Sequence, residues 1–187
     1  EQHERLLDLK QKSYYIGSPL LQINHTKYNI NPKCIIVPSN RVNRNSLRVI
    51  NDCAKKYNIV IRNSALKSAK INKKDLNPSI EIVEWLDIEG RHSNIEGILI
   101  ATDDDIRGSG WFNEAISRGI CMFFIYENMS KIFASTFPNY NYSVIKNAED
   151  IENGINAFAK LSEQDLDNMI INYNTKFSDR YHNNIVI

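Results

Sequence analysis

The sequence predicts an α/β fold with three layers, in which helices cover both faces of a mainly parallel sheet of about five or six strands. Two observations predict this fold class. Short apolar runs alternate along the chain with segments whose apolar residues recur at helical spacing, the order expected of parallel strands joined by helices. The apolar runs are continuous, as in strands buried on both faces. A length of 187 residues suits one such domain.

The first predicted elements of the domain are two strands with a helix between them. The strand at 34–37 is wholly apolar and ends at Pro38, which cannot donate a sheet hydrogen bond. Apolar residues three and four positions apart predict a helix from about 45 to 57, and the second strand follows at 59–62. The lysine-rich stretch 64–78 lacks periodicity and is predicted to hold a short helix within loops.

The second half of the chain continues the alternation. Further strands are predicted at 80–85, 97–101, 121–126 and 142–145, and further helices at 111–118, 129–135 and 148–160. Gly119 is predicted to end the helix before it, in the left-handed conformation that glycine adopts at helix C-termini. Ser162, with Asp165 three residues later, predicts the start of a last helix that runs to about 177.

Residues 1–32 are predicted to be a connector with an N-terminal helix rather than part of the domain. They hold a polar helical segment over about 1–12 and then an Asn-rich link. The chain opens on Glu1 without an initiator methionine. We therefore expect a domain over 33–187 that belongs to a longer protein.

Composition excludes several classes of protein. The 23 basic and 22 acidic residues give a net charge of +1, which argues against a nucleic-acid partner bound through its phosphates. No apolar run approaches the ~20 residues of a transmembrane helix. The three cysteines have no CxxC spacing, which disfavours a disulfide scaffold or a structural zinc site. A reducing, cytoplasmic compartment is expected.

Ligands of open parallel sheets bind where the strands end at their carboxyl edge, so the polar loops at that edge are candidates. Ser39 and Arg41 follow the first strand, Arg62 ends the second, and Asp103 follows the fourth. Arginine suits bidentate phosphate binding. Arg62 ends a buried strand, whereas the commoner role of a loop arginine such as Arg41 is to remain solvated.

The turn Gly108-Ser109-Gly110 opens a helix, and free N–H groups at a helix N-terminus suit an anion. Ser109 adds a hydroxyl and Gly110 permits close backbone approach. Glu114, one turn further, would accept hydrogen bonds from sugar hydroxyls. The plain alternative is a helix cap, turn glycines and a carboxylate that favours the helix dipole. Neither a dinucleotide-binding fingerprint nor a P-loop is present.

No metal or other cofactor is predicted. The run Asp103-Asp104-Asp105 can bind a divalent cation, but a solvated acidic loop is the commoner case. The histidines lack metal-ligand spacing, and only His92 is expected near the ligand edge. No Gly-x-Ser-x-Gly turn or Cys/His pair supports a hydrolase.

Four stretches of the sequence resemble one known family. Residues 15–20, Tyr-Ile-Gly-Ser-Pro-Leu, are similar to the segment that links the two halves of GT-B glycosyltransferases. Residues 35–41 and 59–62 are similar to the opening strand–helix–strand of the C-terminal, donor-binding domain. Residues 109–119, Ser-Gly-Trp-Phe-Asn-Glu-Ala-Ile-Ser-Arg-Gly, resemble its Ser/Gly-rich turn and Glu-Ala-Ile-x-x-Gly signature, and 148–177 resembles its closing helix pair. The likeness includes transferases of bacterial cell-surface polysaccharides.

The resemblance implies a Rossmann-like domain that binds a nucleotide sugar, one half of a GT-B enzyme. Ser109 and Gly110 would hold the donor diphosphate, Glu114 the ribose or sugar, and Arg41 or Arg62 would offset phosphate charge. Ser39 and Asp103 complete the donor-binding set. The paired glutamates of one retaining group are absent, so retaining stereochemistry is not supported.

The resemblance also implies partners outside this sequence. The acceptor, a glycan or a lipid-linked molecule, and the catalytic base would belong to an N-terminal half, so this chain alone is expected to be inactive. The product would be a cell-surface glycan, by sugar or polyol-phosphate transfer, made in the cytoplasm or at the inner membrane face.

Two other functions remain open. The acidic loop, Gly-Ser-Gly turn and helix glutamate also resemble nucleoside 2-deoxyribosyltransferases and TIR-like N-glycosidases, with Glu114 as nucleophile. Against this, Gly108 and Trp111 stand where those proteins carry aspartate and threonine. A non-enzymatic nucleotide-sensing domain is the second alternative, because a fold does not dictate a function.

Overall fold

The computed structural model describes residues 33–39, 41–88, 90–103, 110–137 and 140–162, and positions 164, 165, 167, 168 and 171 of a last helix. Within these residues the strands are β1 (Cys34–Val37), β2 (Ile59–Arg62), β3 (Glu81–Val83), β4 (Ile95–Ile100), β5 (Cys121–Phe124) and β6 (Tyr142–Val144). They form one sheet in the order β3-β2-β1-β4-β5-β6, and every neighbouring pair is parallel.

Helices connect the strands and cover both faces of the sheet. The α-helices are α1 (Leu47–Cys53), α2 (Asn63–Ser68), α3 (Gly110–Arg118), α4 (Glu127–Thr136) and α5 (Ala148–Phe158). Single 3-10 turns lie at Arg44–Ser46, directly before α1, and at Lys73–Asp75. The predicted three-layer, Rossmann-like α/β class is confirmed, with six parallel strands.

Two apolar cores lie on opposite faces of the sheet. On one face, side chains of α1, α2 and α5, such as Ile50, Leu66 and Ile151, are buried against alternate residues of the strands. On the other face, α3 and α4 contribute an aromatic cluster in which Phe112 and Phe133 meet edge to face with ring centroids 5.1 Å apart. Burial on both faces explains why the strands are continuously apolar.

The ends of the elements mostly follow the local sequence signals. β1 and β2 span the predicted residues, and Gly119 has the positive φ of 62° predicted for the end of α3. β3 is shorter than predicted, because the chain bends away from the sheet at Glu84 and Trp85. Ser162 and Asp165 hydrogen-bond to each other as predicted for a helix start, with the Asp165 N–H 3.1 Å from the Ser162 hydroxyl.

The start of α5 is held against α1. Asn147 and Asp150 form a reciprocal capping box, and Asp52 of α1 accepts a hydrogen bond from the Ala148 N–H at 3.1 Å. The Lys55 ammonium and the Ala148 N–H both lower the pKa of the Asp52 carboxyl. None of the helices within the described residues is long and apolar enough to cross a membrane.

Several predictions fall on residues that are not described. They are the connector and helix within 1–32, the turn residues Gly108 and Ser109, the aspartates 104 and 105, and the end of the last helix at 177. These predictions lie outside the described residues.

Candidate functional site

The strand order places a topological switch point between β1 and β4. From β1 the chain continues to β2 and β3 on one side, and from β4 it continues to β5 and β6 on the other. The loops that leave β1 and β4 therefore diverge, and the crevice between them at the carboxyl edge is where open α/β sheets bind ligands. Residues 38–43 and 101–103 lie at this point.

Asn43 ties the two diverging loops together. Its backbone N–H donates to the Ala101 carbonyl at 2.9 Å, and its side-chain Nδ2 donates to Asp103 Oδ2 at 2.9 Å. The same side chain accepts from the Asn45 N–H through Oδ1 at 2.9 Å. The Asn43 carbonyl accepts from the Ser46 N–H at 2.9 Å, so all four polar groups of Asn43 are used, and Asp103 is held beside the β1 loop.

Ser39 and Arg41 lie in the same loop after β1. The Arg41 N–H donates to Ser39 Oγ at 3.1 Å, and the Arg41 side chain is exposed. The structure therefore places Ser39, Arg41 and Asp103 at the crevice between the β1 and β4 loops, as expected of residues that follow parallel strands. Their roles in donor binding stay predictions.

Ser46 connects the carboxyl end of a third strand, β5, to the loops that follow β1 and β4. Its hydroxyl is fully buried and donates to the Ala101 carbonyl at 2.9 Å, and Tyr126, two residues past β5, lies with its hydroxyl 3.1 Å from the same Oγ. Because the single Ser46 proton goes to the carbonyl, the Tyr126 hydroxyl is the donor of the second bond. The start of α1 is thereby fixed to the ends of β4 and β5.

We expect Ser46→Ala to lower the free energy of unfolding by about 1 kcal/mol, because a buried and a partly buried hydrogen bond are lost while Ala101 keeps the Asn43 N–H. Urea unfolding followed by circular dichroism measures this change. Ser135→Ala is the matched control, since the exposed Ser135 hydroxyl donates to the Ile132 carbonyl in its own helix. Equal midpoints for the two variants would contradict a structural role for Ser46.

Arg62 and Trp85 form a second polar cluster at the carboxyl edge. The Arg62 guanidinium carbon lies 4.9 Å from the centroid of the Trp85 ring, a cation–π contact. Trp85 is 73% exposed. Arg62 Nε is buried and has no hydrogen-bond partner in the described part of the chain.

Glu84 and Asn63 lie beside this pair. Arg62 stands opposite Val83 in the β2–β3 register, which brings the residues that follow the two strands together, and Asn63 Nδ2 donates to a Glu84 carboxylate oxygen. Trp85 was not predicted as a site residue, because a tryptophan at the end of an apolar run was assigned to the strand. The available signal was its position as the last residue of the predicted strand, where the loops of the carboxyl edge begin.

Gly110 is the first residue of α3, and Glu114 lies one turn further along that helix. The Glu114 carboxylate forms a salt bridge with Arg118, and both side chains are largely shielded from solvent. A ligand hydroxyl would share Glu114 with this arginine. The assigned role of Glu114 stays a prediction.

The placement of His92 near the ligand edge was wrong. His92 is buried, and its Nε2 lies 3.3 Å from a carboxylate oxygen of Glu81, the first residue of β3. Its Nδ1 accepts from the Asp87 N–H at 3.1 Å. The loop after β3 must return to the amino edge before a parallel β4 can start, and His92 lies on that return.

The cysteines are poor nucleophiles. Burial raises the pKa of Cys34 to about 11 and those of Cys53 and Cys121 to about 12, so none is a thiolate near neutral pH. In the described part of the chain, no group of three or more His, Cys, Asp or Glu side chains is assembled to hold a metal ion.

The strand order and the crevice define a doubly wound α/β protein of the Rossmann-like class. No protein-family model and no curated protein sequence matches the chain. Similar solved structures include CalG4, the calicheamicin glycosyltransferase, with 13% identity and a TM-score of 0.49 over 82% of this chain and 40% of that one. The glycosyltransferase SnogD from Streptomyces nogalater has 11% identity and a TM-score of 0.44, over 89% of this chain and 45% of that one.

The chain spans less than half the length of either glycosyltransferase. Both TM-scores are below 0.5, and the fold class therefore rests on the strand order and register of this chain itself.

Proposed function

We propose that this chain is the nucleotide-sugar-binding half of a GT-B glycosyltransferase. The observation that carries the proposal is the exposed Trp85 ring, backed by Arg62, at the same sheet edge as the β1–β4 crevice. Aromatic faces stack on nucleobases, and arginine binds phosphate. This combination fits a nucleoside diphosphate better than a purely apolar ligand.

The donor would extend along the carboxyl edge from β3 towards β4. Neighbouring strands are about 4.8 Å apart, so the end of β3 and the end of β4 are separated by roughly 14 Å across β2 and β1. An extended nucleoside diphosphate sugar spans such a distance. The base would lie on Trp85, and the diphosphate would lie near Arg62 and the start of α3 at Gly110.

The finer parts of the proposal come from the sequence resemblance. The acceptor, a glycan or lipid-linked molecule, would bind a second domain that also supplies the catalytic base. Transfer would serve cell-surface glycan synthesis in the cytoplasm or at the inner membrane face, with the nucleotide sugar as substrate and no further cofactor. Nothing in the described geometry favours Glu114 as a nucleophile, because Arg118 pairs with its carboxylate.

Calorimetry with nucleoside diphosphates and their sugars tests the proposal. We expect measurable binding by the chain, and we expect Trp85→Ala to weaken it by roughly fivefold to 150-fold, since stacking on an aromatic ring contributes about 1–3 kcal/mol per base. Trp85→Phe, which keeps an aromatic face, should restore most of the affinity. Lys56→Ala, at the amino edge before β2, is the control expected to bind as the parent does.

Two results would overturn this function. One is the absence of binding by any nucleoside diphosphate or nucleotide sugar at millimolar concentration. The other is rapid sugar transfer by the chain alone, because the proposal assigns the acceptor site and the base to another domain.

A further inference from the structure

We propose that the nucleotide recognised at this edge is a guanine nucleotide and that Glu84 determines this specificity. The inference rests on the proposed function, since it concerns the base that would stack on Trp85. It starts from the position of Glu84, which precedes Trp85 directly and shares the bend after β3.

One face of the Trp85 ring is already covered. The Arg62 guanidinium lies over the indole with its carbon 4.9 Å from the ring centroid. A base therefore stacks on the opposite face, which the 73% exposure of Trp85 leaves open. The electron-rich indole would attract the guanidinium on one face and stack on the base with the other, and both contacts are favourable.

The Glu84 carboxylate is oriented by the protein and retains acceptor capacity. Asn63 Nδ2 donates to one oxygen, Oε1. An ionised carboxylate offers about four lone-pair sites, so one amide donor leaves the group able to accept a bidentate pair. Asn63 is the first residue of α2 and follows β2 directly, which fixes this donor to the sheet edge.

Guanine is the nucleobase whose Watson–Crick edge presents two adjacent donors, N1–H and N2–H. A carboxylate accepts both at once, and hydrogen bonds to a charged group are the stronger ones. Uracil has its N3–H between two carbonyl oxygens, and adenine and cytosine each place a ring-nitrogen lone pair beside their amino group. Each of those three edges sets an acceptor against the Glu84 oxygens, which is unfavourable for binding.

Calorimetric titration of the full chain with GDP, IDP, UDP, CDP and ADP tests this proposal. We expect GDP to bind at least tenfold more tightly than the other nucleotides, including IDP, which lacks the N2 amino group. Glu84→Gln is expected to weaken GDP binding about tenfold to a hundredfold and to strengthen UDP binding, because the neutral amide can donate to a uracil oxygen that the carboxylate repels. The same variant should gain affinity for xanthosine diphosphate, because the glutamine amide can donate to the O2 that replaces the amino group.

Glu127→Gln is the matched control, an exposed carboxylate on α4 paired with Lys131, and it should keep the parent's order of affinities. If nucleotides bind and Trp85→Ala weakens them, but GDP is not preferred or Glu84→Gln leaves the order unchanged, this inference fails and the proposed function stands. If no nucleoside diphosphate binds, both fail.

Discussion

Phe123→Ala is expected to lower the free energy of unfolding by about 3–5 kcal/mol, the cost of removing a fully buried phenylalanine from a packed core. Phe123 lies in β5 and has no exposed surface. Its ring lies between two glycines, Gly97 of β4 and Gly154 of α5, whose backbones approach it directly. Neither glycine has a side chain that can move into the void, so the cavity cannot be filled from these two sides.

Chemical unfolding in urea, followed by far-ultraviolet circular dichroism, measures the loss. Phe123→Leu is the matched variant, because leucine keeps most of the buried volume, and we expect it to lose less than half as much. Equal midpoints for the alanine and leucine variants would show that the ring does not fill the space between the two glycines.

The strands of this fold were predictable because their burial is uniform. A parallel strand covered on both faces must be apolar at every position, and the run Cys34–Val37 before Pro38 states this directly in the sequence. The order of the strands cannot be predicted from local sequence, since it depends on the side of β1 on which each crossover packs. The switch point between β1 and β4 could therefore be located only in the structure.

Part of the candidate site followed from topology alone. Ser39, Arg41, Arg62 and Asp103 are at the carboxyl edge because every loop that leaves a parallel strand begins there. Side-chain pairings across the site were not predictable, because they join residues that are distant in sequence. The Ser46 hydroxyl, for example, contacts residues 55 and 80 positions away.

The positions of Trp85 and His92 relative to the sheet could not be predicted from the sequence around them. A tryptophan after an apolar run has the composition of a strand residue, and only the bend at 84–85 reveals that it leaves the sheet. A histidine in a loop between strands has no local signal for which edge it occupies. His92 lies at the amino edge because the crossover carries it back along the sheet to Glu81.

Gly97→Ala is expected to destabilise the protein by about 1–3 kcal/mol, the usual cost of overpacking a core, although alanine is otherwise the less costly residue to order in a strand. A Cβ at position 97 would overlap Cε2 of Phe123 and lie 2.9 Å from its Cδ2. The ring cannot retreat, because a Cβ position on Gly154 is already 2.7 Å from its Cε1, which shows how closely α5 approaches the other side.

A double-mutant cycle separates this collision from a general loss of stability. Urea midpoints of Gly97→Ala, Phe123→Leu and the double variant give the coupling between the two positions. Leucine lacks the ring edge that meets the new methyl group, so the double variant should be more stable than the sum of the single changes predicts, by about 1 kcal/mol or more. Additive losses would contradict the packing of Phe123 directly on Gly97. An effect of alanine on the β4 backbone alone would be the same whichever residue stands at position 123.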